Sequence, residues 1–133
     1  MGLHRRILVV DDERSVLLVT HRTLVRLGDG YEVVAAQNGR EALDRIREAP
    51  FDLVITDLKM PEMDGVALTE AIRELCPDTI VIWMTAYGCG SLMDAAARLM
   101  VYGCLEKPVE VAEILRMARK ALGSTAGREP AVG

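Results

Sequence analysis

At 133 residues, 50% of them hydrophobic and 27% charged, the chain is long enough for one domain with a full core and has the composition of a globular protein. Its 16 Lys and Arg against 20 Asp and Glu leave a formal net charge of −4. The one basic cluster, His4-Arg5-Arg6, reads as a solvated lead-in to a strand, so no direct binding of nucleic acid is expected.

In chain order, 5–10 is a β-branched apolar run that ends in two acids and reads as a strand buried on both faces. From 13 to 27, Val16, Leu17, Thr20, Leu24 and Leu27 keep a helical period, and Gly28-Asp29-Gly30 stops that helix. A second strand is expected at 31–36. Asn38-Gly39 then turns the chain into a helix with Ala42, Leu43 and Ile46 on one face, which Pro50 ends. The third strand, 51–56, delivers Asp57 into a loop punctuated by Pro61 and Gly65. A helix at 66–75 follows, then a fourth strand at 79–84 that leads to Thr85. Ser91 is the expected N-cap of a strongly apolar fourth helix that reaches about 101. A short fifth strand around Gly103-Cys104-Leu105 leads to Lys107-Pro108, where a cis peptide would aim the lysine inward. The last helix is expected over 109–122, with 123–133 a tail or the start of a linker. The domain is thus expected over 1–123, with 124–133 outside it.

No apolar run approaches the length of a membrane span and the N-terminus has no signal-peptide core, so a cytoplasmic, non-membrane location is expected. Cys76, Cys89 and Cys104 form no CxxC pair, and with only His4 and His21 available they do not suggest a zinc site. Free thiols in a reducing cytosol are expected, with Cys89 a small filler in a Gly-Cys-Gly loop.

Five strand–helix units cannot close an eight-fold barrel, so an α/β open parallel sheet covered on both faces is expected, with its crevice beyond the carboxyl ends of the strands. The residues at those ends are Asp11, Asp12, Asp57, Thr85 and Lys107. Three carboxylates together repel, which makes chemical sense if the crevice holds a hard cation and then an oxyanion. Asp12 or Glu13 could instead cap the first helix, an alternative that Asp57 on a neighbouring strand weakens. Asp57 emerges from apolar surroundings, where a carboxylate can attack phosphorus to give an acyl phosphate with Mg²⁺ offsetting charge. Thr85 can donate to a phosphoryl oxygen, and Lys107 can pair with carboxylates or with phosphate.

With Asp11-Asp12, Asp57-Leu58-Lys59-Met60-Pro61, Asp64-Gly65, Thr85-Ala86 and Lys107-Pro108 in this order, the chain resembles the receiver domain of bacterial two-component response regulators over roughly residues 5–122. The resemblance implies a flavodoxin-like (βα)5 fold with strand order 2-1-3-4-5. It implies Asp57 as phosphoacceptor, with Asp11, Asp12, Asp57 and the backbone carbonyl of Lys59 holding Mg²⁺, Thr85 as switch hydroxyl and Lys107 as the phosphate-contacting lysine. The implied partner is a sensor histidine kinase or phosphotransfer protein. A homodimer through helix 4, strand 5 and helix 5 is the implied assembly, and signalling rather than enzyme turnover the implied role. Thr85-Ala86-Tyr87-Gly88 resembles receivers of the nitrogen-regulation type.

One departure stands out. Three residues before the lysine the family usually carries Tyr or Phe, and here that position is Cys104, with Tyr102 two residues earlier on the same side of the strand. The expectation is retained phosphorylation with an unusual readout surface. A haloacid-dehalogenase-type phosphatase would carry its nucleophile in a DxD after the first strand, where this chain has Asp-Asp-Glu. No GxxxxGK[ST] or GxGxxG loop supports nucleotide binding. The remaining alternative is a degenerate receiver acting as a phosphorylation-independent interaction module.

Overall fold

The computed structural model describes residues 4–127. Five parallel strands run β1 Arg5–Val10, β2 Tyr31–Ala36, β3 Leu53–Asp57, β4 Ile80–Thr85 and β5 Gly103–Glu106. They lie in the order β2-β1-β3-β4-β5, as expected. The helices are α1 Arg14–Val25, α2 Gly39–Glu48, α3 Gly65–Leu75, α4 Met93–Arg98 and α5 Val111–Gly127.

Strand alternation splits the apolar residues between two cores, because successive side chains point to opposite faces. Leu8, Val10, Val54, Val81 and Trp83 face α2 and α3, where Leu43, Ile46, Leu68 and Ile72 meet them. Ile7, Val9, Ile55, Ile82 and Met84 face α1 and α5, meeting Leu17, Leu24, Ile114 and Ala118. The continuous apolar runs are therefore what a sheet covered on both sides requires. The buried indole of Trp83 donates to Thr69 Oγ1 at 2.9 Å, so its one polar atom is satisfied.

Local signals set the helix starts. Asn38 accepts from the Glu41 N–H and Asp64 from the Ala67 N–H, each at 2.8 Å, as N-caps do. Gly65 begins α3 where its amide donates to Leu58 O at 2.9 Å. A Cβ there would strike the Asp57 carbonyl oxygen and lie 2.9 Å from Leu58 Cα, so only glycine lets α3 start against the end of β3. The basic N-terminal cluster is structural rather than a free arm. Arg6 donates to Ala49 O and Pro50 O at 2.9 and 2.8 Å and lies 4.2 Å from the Phe51 ring centre.

Three local expectations are corrected. Ser91 is not a helix cap: Gly90–Leu92 is a single 3-10 turn, and Leu92 takes the cap position of α4 with no side-chain bond. That helix is only six residues long and fully buries none of them: Met93 and Met100 are exposed, while Leu92, Ala95, Ala96 and Leu99 pack against the core. Helix α5 continues to Gly127, through residues expected to be tail, while 128–133 lie outside the described residues. Ala, Leu and the Lys/Arg of 116–122 keep the helix wound, and Gly123 costs it only about 1 kcal/mol.

Candidate functional site

The ends of β1, β3, β4 and β5 meet at one edge of the sheet, and each strand end is fixed by a backbone bond to its neighbour. The Asp11 amide donates to Ala36 O, Leu58 to Met84 O, and Lys107 to Thr85 O at 2.8 Å. These bonds bring Asp11, Asp12 and Asp57 together, with one oxygen from each lying within 4.8 Å of the others. Asp11 is fully buried, Asp57 is 4% exposed, and Asp12 faces solvent.

Lys107 reaches into this cluster. Its Nζ lies 2.9 Å from Asp11 Oδ2, 3.3 Å from Asp57 Oδ1 and 3.5 Å from Glu13 Oε1. The peptide bond between Lys107 and Pro108 is cis, as the sequence suggested. In the sequence Glu13 reads only as a helix cap. It occupies that position without a side-chain cap bond, its carboxylate faces Lys107 instead, and its amide donates to Asp11 Oδ1 at 2.9 Å. The Asp-Asp-Glu run was the available signal for it.

Charge and burial pull against each other here. Burial, and then the charge of Asp11, push the Asp57 carboxyl above the ordinary carboxylate range, with Lys107 opposing. Burial works to lower the Lys107 pKa, but its contacts with Asp11 and Asp57 outweigh that and hold the ammonium above the ordinary lysine value. Three carboxylates thus share one ammonium. Asp11 Oδ2 is close to Lys107 yet makes no aligned hydrogen bond, although it is sealed from water. An oxygen-only donor set in which three carboxylates gather around one ammonium fits a hard divalent cation.

Thr85 is buried at the end of β4, and its Oγ1 accepts from the Tyr87 N–H at 3.0 Å. Lys59, two residues past Asp57, is exposed and holds its ammonium 5.1 Å from the ring centre of Tyr87, two residues past Thr85. Tyr102 precedes β5, donates its amide to Val81 O at 2.8 Å and leaves its side chain partly exposed.

The cysteines overturn the expectation of free thiols. Cys89 and Cys104 are joined by a disulfide, with Cα atoms 6.0 Å apart, and Cys76 is the free cysteine. The reason is tertiary. Gly88, at φ 84°, turns the β4–α4 loop back on the sheet, and the pairing of Trp83 with Cys104 sets that cysteine opposite the end of β4. Neither the turn nor the register is visible in a spacing of 15 residues.

The family model of the response regulator receiver domain matches residues 7–119. The chain belongs to this family. It is 38% identical over 125 residues to the transcriptional regulatory protein ZraR of Escherichia coli, covering 90% of this chain and 26% of that protein. It is 30% identical over 120 residues to sporulation initiation phosphotransferase F of Bacillus subtilis, covering 90% of this chain and 95% of that one. Among solved structures, a receiver domain protein from Clostridium thermocellum superposes with a TM-score of 0.83 at 29% identity, over 94% of this chain and 99% of that chain. This receiver domain therefore spans about a quarter of the length of ZraR and nearly all of the phosphotransferase. Receiver domains are signalling phosphoacceptors, phosphorylated by histidine kinases or phosphotransfer proteins, and this chain is one of them. No helix among the described residues is long and apolar enough to cross a membrane.

Proposed function

We propose that Asp57 accepts the phosphoryl group and that Asp11, Asp12, Asp57 and the Lys59 carbonyl hold Mg²⁺ beside it. The observation that carries this reading is the cluster of three carboxylates, two of them buried, gathered around one lysine. Bound there, Mg²⁺ supplies positive charge to a transferring phosphoryl group. An Asp57 oxygen forms its bond to phosphorus as the bond from phosphorus to the donor's histidine nitrogen breaks, and the imidazole departs with that electron pair. Lys107 moves its ion pair from Asp57 to the incoming phosphoryl oxygens, and the Thr85 hydroxyl donates to another. Lys59 and Tyr87 stand over the mouth and slow the entry of hydrolytic water.

The domain, expected over 1–123 but with α5 running on to Gly127, works in the cytoplasm and takes its phosphoryl group from a sensor histidine kinase or phosphotransfer protein. The exposed Met93, Met100 and Tyr102 around α4 and β5 support a homodimer through helix 4, strand 5 and helix 5. The likeness to ZraR supports a transcriptional output, in keeping with the nitrogen-regulation-type Thr85-Ala86-Tyr87-Gly88 run. The test is intact mass after incubation with acetyl phosphate. We expect a gain of one phosphoryl group with Mg²⁺, none with a chelator and none in Asp57→Asn. Equal uptake by Asp57→Asn would refute the assignment.

A further inference from the structure

The β4–α4 loop is held to β5 in two ways that are independent of each other. Cys89 Sγ is bonded to Cys104, and the Cys89 N–H donates to Glu106 Oε2 at 3.0 Å. Cys104 and Glu106 are two residues apart in β5 and so project from the same face of the strand, which lets one loop residue take both anchors. The other end of the loop is tied to Thr85, whose hydroxyl accepts the Tyr87 N–H. Only three residues, Ala86, Tyr87 and Gly88, separate Thr85 from the bonded cysteine. The 3-10 turn and α4 begin directly after it, at Gly90 and Met93.

We propose that Cys89 and Cys104 are a reversible redox site that takes a small-molecule disulfide as its oxidant, and that the bonded pair clamps the β4–α4 loop so that events at Asp57 do not reach α4. The proposal rests on Asp57 as phosphoacceptor for its consequence, though not for the chemistry of the pair. In oxidation, the thiolate of one cysteine attacks the external disulfide and releases one thiol. The second cysteine thiolate then attacks the mixed disulfide and releases the other. Two cysteine thiols lose two electrons in total, the external disulfide gains them, and the two protons end on the two released thiols. Reduction by a thiol reverses each step.

The consequence follows from chain length. Any turn of Thr85 toward an oxyanion on Asp57 must be taken up by its neighbours, because Tyr87 is bonded to its hydroxyl. With Cys89 fixed to β5, the three intervening residues have little freedom to follow, and α4 stays where it is. With the bond reduced, the Glu106 contact is the remaining anchor among those described. It is a single exposed hydrogen bond, which local fluctuation opens readily. Cys104 thus occupies the place where this family usually has an aromatic residue, and it gives that place a covalent response to thiol–disulfide balance.

The test uses the full chain in glutathione buffers, one oxidising and one reducing. Alkylation and intact mass count the thiols, with Cys76 as the internal free thiol. We expect one reactive thiol in the oxidising buffer and three in the reducing one. Amide hydrogen exchange at Tyr87 and Cys89 should be faster by about tenfold or more after reduction. Beryllofluoride with Mg²⁺ should shift amide resonances only around Asp57 in the oxidised chain, and through Tyr87–Arg98 and β5 in the reduced chain. In exchange and in shifts Cys104→Ser should behave as the reduced chain in both buffers, with Cys76 and Cys89 its two remaining thiols, and Cys89→Ser serves the same purpose if that variant folds poorly. Three alkylated thiols in both buffers, or identical exchange and shifts in both, would overturn the proposal. Failure of the phosphoacceptor reading would look different: neither form would gain phosphoryl mass from acetyl phosphate, while thiol counts and hydrogen exchange would still judge the redox site.

Discussion

Removing the single ammonium from the carboxylate cluster is the most informative perturbation of stability. In Lys107→Met, Asp11 and Asp57 keep their charges and burial but lose a cation at 2.9 and 3.3 Å. Breaking a buried pair by deleting one partner costs about 3 to 5 kcal/mol, chiefly because the remaining charge has no compensation. The lower end applies, since the exposed Asp12 marks the solvent side of the cluster, so the expected loss is about 3 kcal/mol, or roughly 10 °C in Tm for a domain of this size. Because the folded pKa of Lys107 is raised, its contribution is complete at and below the ordinary lysine range and is lost only as pH rises through the raised value. Urea unfolding at pH 7.5 therefore reads the whole effect. Two dependences follow. The loss should shrink toward acid pH, where Asp57 protonates early because its pKa is already raised. It should also shrink as Mg²⁺ is added, because a divalent cation replaces the missing positive charge. A variant as stable as the parent without Mg²⁺, or a deficit that Mg²⁺ does not reduce, would refute this account of the cluster.

The other perturbations probe separate parts of the site. Asp57→Asn should abolish phosphorylation yet raise stability at neutral pH, because burial and the charge of Asp11 disfavour the Asp57 carboxylate in the folded chain. The sign follows from the raised folded pKa: the native state loses stability as pH climbs from the ordinary carboxylate value through the raised one, so the gain should vanish in acid urea titrations. Gly65→Ala should cost about 2 to 3 kcal/mol in urea unfolding and slow phosphorylation, because its methyl meets the Asp57 carbonyl and the Leu58 backbone. Tyr87→Ala, which removes the ring beneath the Lys59 ammonium, should shorten the acyl phosphate lifetime a few-fold in a mass-based decay assay; an unchanged decay would show that the pair does not screen the site.

What could be read from the chain beforehand tracks what is local. Strands buried on both faces announce themselves as unbroken apolar runs, and the residues that end them fall on one edge by the topology of a parallel sheet. Asp11, Asp12, Asp57, Thr85 and Lys107 were therefore legible, as was the cis bond before Pro108. The Asn38-Gly39 turn into a helix was legible for the same reason, and the structure adds that Asn38 and Asp64 cap their helices within three residues. Apart from the added length of α5, a local matter of propensity, the misses depend on contacts far apart in sequence. Composition alone made the stretch from Ser91 to about 101 read as one strongly apolar helix, but the loop that enters it is tied to β5, and only one turn of 3-10 and six helical residues form. Cys89 and Cys104 meet because Gly88 turns the loop and the β4–β5 register sets Trp83 beside Cys104. Glu13 joins Lys107 across 94 residues, a pairing that the Asp-Asp-Glu run only hints at.

The central claim is that a phosphoryl group is carried on the Asp57 carboxylate, and trapping that bond tests it most directly. Phosphorylation by acetyl phosphate with Mg²⁺, followed by borohydride reduction and peptide mapping, converts an aspartyl phosphate to homoserine. The account predicts homoserine at position 57 and nowhere else, with none when a chelator replaces Mg²⁺. Homoserine at Asp11 or Asp12, or a phosphoryl group that survives on another residue while Asp57 is recovered intact, would contradict it.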